Sequence, residues 1–217
     1  MKKYLTLAVF FLVFFYIFFQ TIPSFSRNIL INKIENTYKG VHSISAYFYQ
    51  QEVLPGYSQK IFYKGYFFYE SPDKLAWVYI SPIKKREVLS GGALYVIDSA
   101  LKRVTVINVS ESNGGYPPNI IAVIGNLSRY FKVIRVTENP GKGIIEAELK
   151  PINLQRARVI YADFKEGSFK IASLKILTHQ GQTIDFHYSR VEFNRHIKEK
   201  VFSVNFPSDY KIIKEGY

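Results

Sequence analysis

Four histidines, His42, His179, His187 and His196, are the side chains from which acid–base or metal chemistry could be built in this chain, which contains no cysteine. Asp185 and His187 alternate within a run expected to be a strand, so both project from one face, as a base and its orienting carboxylate would. A working site needs a third group. None stands at a useful spacing, and the pair is expected to be structural. HExxH, Walker-loop and G-x-S-x-G patterns are missing, as is an acidic cluster of the metal-binding type. Gly91-Gly92 and Gly114-Gly115 suit turns rather than phosphate cradles. The chain is expected not to be an enzyme and to need no cofactor.

What the sequence has in excess is aromatic surface. Residues 65–79, GYFFYESPDKLAWVY, place Tyr66, Phe67, Phe68, Tyr69, Trp77 and Tyr79 around a turn-like Ser71-Pro72-Asp73. In an ordinary antiparallel hairpin one face packs a core and the other meets water, so aromatics on both faces need a second apolar neighbour. Ile61-Phe62-Tyr63 repeats the pattern. A well-filled core with aromatic cross-strand pairs is one explanation. For the ensemble, a cavity that holds an apolar ligand is the stronger one.

The elements that must position these residues follow from periodicity. Asn28 suits the cap of a helix in which Leu30, Ile34, Tyr38 and Val41 recur at helical spacing, with Gly40 as its stop. Beyond it the pattern predicts strands over 44–54, 59–70, 74–80, 87–90, 93–98, 103–109, 131–137, 143–150, 158–164, 170–178 and 183–193, rich in Val, Ile, Tyr and Phe. Turn residues such as Pro55-Gly56, Ser90-Gly91-Gly92 and Asn139-Pro140-Gly141 separate them. Strands this closely spaced are expected to pair as an antiparallel meander. Residues 119–125 interrupt the series, with Pro117-Pro118 before them and Gly125 after. A short helix is expected here, bearing Ile120, Ile121, Val123 and Ile124, and a strand is the alternative because β-branched residues form helices poorly. The sheet is expected to curl into a half-barrel with the helices over its mouth, and this interior supplies the second neighbour for the aromatics.

The 217 residues suffice for one domain with a sizeable core. Residues 1–26 read as an export signal: Lys2 and Lys3 form a basic head, Tyr4 to Phe19 is apolar apart from Thr6, and Ser24-Phe25-Ser26 offers small residues to a signal peptidase. Cleavage after Ser26 is expected, with retention as an anchor as the alternative, leaving residues 27–217 as one domain outside the cytoplasm. Without a cysteine near the cleavage point the new N-terminus has no lipidation site. The net charge is +12; removing Lys2 and Lys3 from 29 basic residues leaves 27 against 17 acidic ones, a net of +10. In an exported protein such a surplus points away from nucleic acid, toward anionic lipid head groups, an acidic partner or simply a solubilising surface.

Residues 41–51, the G-x(6)-P-x(4)-W spacing within 65–79, Ser81-Pro82, Ser90-Gly91-Gly92 before Leu94-Tyr95-Val96, and the closing Val201-Phe-Ser-Val-Asn-Phe-Pro together resemble the LolA family of periplasmic outer-membrane lipoprotein carriers. The resemblance spans nearly all of residues 28–213. It implies a mainly β fold with helices, an unclosed antiparallel β-barrel covered by a helical lid. It implies lipid-binding roles for Phe67, Tyr69, Leu75, Trp77, Tyr79 and Leu89 on the sheet and for Ile120, Ile124 and Leu127 on the lid. Many members place an arginine before the hairpin proline to hydrogen-bond the lid shut; Ser71 stands there in this chain. A serine lacks a guanidinium's fork of donors, so closure is expected to be weaker or to rest on another residue. The partners implied are acylated lipoproteins, an inner-membrane ABC lipoprotein-release complex and, at the outer membrane, a LolB-like receptor, with the carrier itself a monomer. An RseB-like periplasmic sensor of lipoproteins is the alternative; such proteins usually add a second domain.

Overall fold

The computed structural model describes residues 23–57, 59–108, 123–152 and 157–215. A helix, α1 (Pro23–Lys39), leads into strands β1 (Ser43–Val53), β2 (Lys60–Glu70), β3 (Lys74–Ser81), β4 (Lys85–Ser90), β5 (Ala93–Asp98) and β6 (Arg103–Asn108). A 3-10 turn at Ile124–Asn126 runs into a one-turn helix, α2 (Leu127–Tyr130), and then into β7 (Phe131–Asn139). Strands β8 (Ile144–Pro151), β9 (Ala157–Lys165), β10 (Ile171–Thr178) and β11 (Thr183–Phe193) follow, and β12 (Lys211–Glu215) comes last.

All the strands join one sheet in the order β12-β6-β5-β4-β3-β2-β1-β11-β10-β9-β8-β7. The single meander expected from strand spacing is thus two meanders, sutured where β1 pairs antiparallel with β11. β6 and β7, consecutive in sequence, lie toward opposite edges, and β12 adds to β6 in parallel. Two edges remain apart, which leaves the barrel unclosed. Register shifts between Ser45 and Tyr47, between Lys64 and Gly65 and between Val133 and Arg135 bend the strands around the concave side. At the second of these, a Cβ on Gly65 would come 2.2 Å from the Val78 carbonyl oxygen and 2.8 Å from the Phe48 ring. Only glycine fits beneath that ring. Gly91 and Gly92, both with positive φ, close the β4–β5 hairpin in a two-residue turn whose hand matches the strand twist.

Alternation decides which face each side chain meets. Along β1, Ile44, Ala46, Phe48 and Gln50 are buried on the concave side, and Leu30, Ile31, Ile34 and Tyr38 of α1 are buried against it. At about 1.5–3 kcal/mol for each apolar side chain sheltered, those α1 residues hold the helix far more firmly than its propensity does. Among the described residues α1 runs from Pro23, ahead of the expected start at Asn28. A cut after Ser26 keeps Leu30, Ile31, Ile34 and Tyr38, the buried residues described on α1. Gly125 does not end a helix as expected: the chain continues through Asn126 into α2.

The outer face has its own cover, a second correction to the sequence reading. Phe68, Ala76 and Val88 pack beneath Ile197, Val201, Phe202 and Val204, a C-terminal strap laid over the convex side. Arg86 Nη2 donates to the carbonyls of Val201 at 3.0 Å and Ser203 at 2.7 Å, pinning it there. Lys74 adds an ion pair to Glu199 at 2.8 Å and sits over the Phe202 ring. The aromatics of residues 65–79 therefore have two different apolar neighbours, one on each side of the sheet.

Candidate functional site: an apolar bowl and its lid

Strands β2 to β4 place the sheet residues singled out by the family resemblance on one wall. Phe67, Tyr69, Leu75 and Tyr79 are buried there, and Leu75 is fully shielded. Trp77 and Leu89 are partly buried and pack against the same cluster. The register explains the grouping: Tyr69 faces Leu75, Phe67 faces Trp77, and Leu75 faces Leu89. Rings then lock to rings, with Phe67 against Trp77 at 5.5 Å between centroids and Phe48 edge-on to Tyr79 at 5.3 Å.

The lid residues Ile124 and Leu127 are also fully buried and join the same continuous cluster as the wall, together with Leu30, Ile34 and Tyr38. Ile120 lies outside the described residues. Ser71, the expected latch position, is exposed; its backbone N–H donates to the His42 carbonyl at 2.8 Å, which ties the hairpin to the turn after α1. Two other contacts hold the helical cover. Glu35 Oε1 accepts from the Ser128 backbone N–H at 2.8 Å, so a carboxylate meets an orphan donor in the first turn of α2. Tyr38 Oη accepts from the Ile171 N–H at 2.8 Å, and burial raises the phenol's pKa above its ordinary range. No arginine is needed for either contact.

Polar side chains that sequence reasoning did not single out stand among the aromatics. Lys85 and Glu87 form an ion pair at 2.6 Å, and the Lys85 ammonium lies 4.4 Å from the centre of the Tyr79 ring. Burial, with Glu52 and Glu87 nearby, raises the Tyr63 pKa, and Lys85 opposes them. Gln182 Nε2 donates to Glu52 Oε1. Gln50 is only 6% exposed, and its Oε1 has no hydrogen-bond partner among the described residues; the same is true of Trp77 Nε1. Alternation was the available signal: Gln50 shares parity with Phe48, and Lys85 and Glu87 share it with Leu89.

Asp185 and His187 sit 3.5 Å apart, with the imidazole well exposed on β11. No group of three potential metal ligands occurs among the described residues. That pair lies at the surface, whereas the concave face gathers buried apolar side chains from sheet and lid.

The sequence model of the family described as "Outer membrane lipoprotein carrier protein LolA" matches residues 39–205. An outer-membrane lipoprotein carrier protein of Nitrosospira multiformis is 25% identical over 147 residues, covering 68% of this chain and 70% of that protein. One from Francisella tularensis subsp. novicida is 26% identical over 186 residues, 86% of each chain. An uncharacterized conserved protein from Thermus thermophilus shares the fold, with a TM-score of 0.52 over 84% of this chain and 98% of that one at 6% identity. The wall, the lid and the register between them thus belong to a chain that is a member of the LolA family.

Proposed function

We propose that this protein carries acylated proteins across the periplasm, sheltering their acyl chains between the β2–β4 wall and the α1–α2 cover. The observation that carries the reading is the continuity of one apolar cluster from Leu75 and Phe67 on the wall to Ile124 and Leu127 on the lid. The α2 part of the lid is held by modest forces. Sheltering Ile124 and Leu127 is worth about 3–6 kcal/mol together, and the Glu35–Ser128 hydrogen bond about 1. An acyl chain of about 15 methylenes gains roughly 12 kcal/mol on leaving water, at about 0.8 per methylene. Cargo therefore outbids the closed lid. The opposing cost also keeps binding below the level at which release would fail.

Cargo enters from an inner-membrane ABC lipoprotein-release complex and passes to a LolB-like receptor with a better apolar fit, with no nucleotide hydrolysis by the carrier. Among the described residues no helix is long and apolar enough to cross a membrane. Mass spectrometry of protein purified from the cell envelope tests the reading. Acylated polypeptides are expected to accompany the wild type and to be lost from Leu75→Glu, which sets a charge among the chains at several kcal/mol of desolvation. A folded wild type that carries no acylated species, or a variant that loads normally, overturns it.

A further inference from the structure

Two polar atoms in the bowl lack partners among the described residues, and both belong to its apolar wall. Trp77 Nε1 is donor-only. Gln50 projects from β1 on the side of Phe48 and Ala46, and its unpartnered Oε1 is an acceptor that suits a ligand N–H. A buried polar group without a partner destabilises the fold that holds it, so two on one concave face need a reason. Pure hydrocarbon offers none. The bonds that join acyl chains to a lipid-modified protein do, since esters and amides bring carbonyl acceptors and amides bring an N–H.

We infer that Trp77 Nε1 and Gln50 recognise the ester and amide linkages of the acyl groups, making this site selective for carbonyl-linked chains over simple hydrocarbon. The inference rests on the carrier reading and names which part of the cargo is recognised. Trp77 is flanked on β4 by Glu87, whose carboxylate is already engaged by Lys85 at 2.6 Å. The indole N–H makes no hydrogen bond to that carboxylate or to any other described group, and so is free for a ligand. The polar atoms are spread along the wall, because Trp77 aligns through Phe67 with Ala46, four residues before Gln50. A cargo with more than one acyl linkage can therefore meet both.

The test compares two synthetic lipopeptides with identical chains, one ester-linked and one ether-linked, by calorimetric titration of the full protein. The wild type is expected to bind the ester form about tenfold to a hundredfold more tightly, since the ether leaves the indole N–H unsatisfied. Trp77→Phe is expected to lower the ester-over-ether preference about tenfold, and Gln50→Leu to lower about tenfold the preference for an amide-linked counterpart over the ether form. Without ligand, Gln50→Leu should melt at the same temperature as wild type or a few degrees higher, because it removes an orphaned polar atom at similar volume. Equal affinity of the wild type for the two lipopeptides overturns this inference and leaves the carrier reading standing. Equal losses on both lipopeptides in the variants also overturn it, reducing the residues to packing. Binding of neither peptide overturns both.

Discussion

The Glu35 carboxylate reaches across from α1 to accept the backbone N–H of Ser128 at 2.8 Å, joining two segments that sequence separates by the whole first meander. Glu35→Ala should free the start of α2 at a cost of about 1 kcal/mol. Hydrogen exchange at residues 124–130 is expected to accelerate several-fold, and acyl ligands to enter faster. Unchanged exchange there would place the hold on the lid entirely in the burial of Ile124 and Leu127.

Gly65 leaves no room for a side chain in the wall. Gly65→Ala drives a methyl group against the Val78 carbonyl and under the Phe48 ring, and overpacking of this kind costs about 1–3 kcal/mol. Chemical denaturation should register that loss. Because Phe48 is also edge-on to Phe186 at 5.9 Å, the strain is expected to spread to β11 and to show in its amide shifts.

The convex strap depends on Arg86 and Phe202. Arg86→Met abandons two carbonyls that it now satisfies, and a loss of roughly 1–3 kcal/mol is expected. Phe202→Ala removes the largest apolar side chain that the strap itself contributes, at about 3–5 kcal/mol. Limited proteolysis should then cut between residues 195 and 205 first, while Trp77 fluorescence, which reports the opposite face, changes little.

Acid should loosen the last strand before the rest of the sheet. The hydrogen bond from Lys102 holds the Asp209 carboxyl below the ordinary aspartate value of 3.8. A depressed pKa means the tie is complete above 3.8 and is lost as pH falls through the lower folded value. Both groups are exposed, so the effect is local. Amides of β12 should gain exchange, relative to their intrinsic acid rates, across that window. Asp209→Asn should show the same loosening at neutral pH and no further change on acidification.

Much of the wall was legible because alternation is a local property. Phe67, Tyr69, Leu75, Trp77 and Tyr79 fall on one face by counting residues, and the structure keeps them together. Strand limits also agreed within a residue or two, since turn residues mark them. Three features escaped for one physical reason: each rests on a partner remote in sequence. β12, only five residues long, pairs in parallel with β6. The strap that covers Phe68 arrives from beyond β11. Glu35 looks like any helix-surface acid until α2 is placed beside it. The buried polar atoms of Gln50 and Trp77 were hidden differently, because parity assigns a face but says nothing of hydrogen-bond partners.

The suture between β1 and β11 sets the order in which this molecule can come into being. Ile44 must find Phe193, almost at the other end of the polypeptide. Each hairpin can form as soon as it emerges, yet the central seam waits for nearly complete synthesis, and such distant pairing is slow. Until then the greasy half-sheets stay open and pliable, a state in which a polypeptide can still be threaded through a narrow conduit.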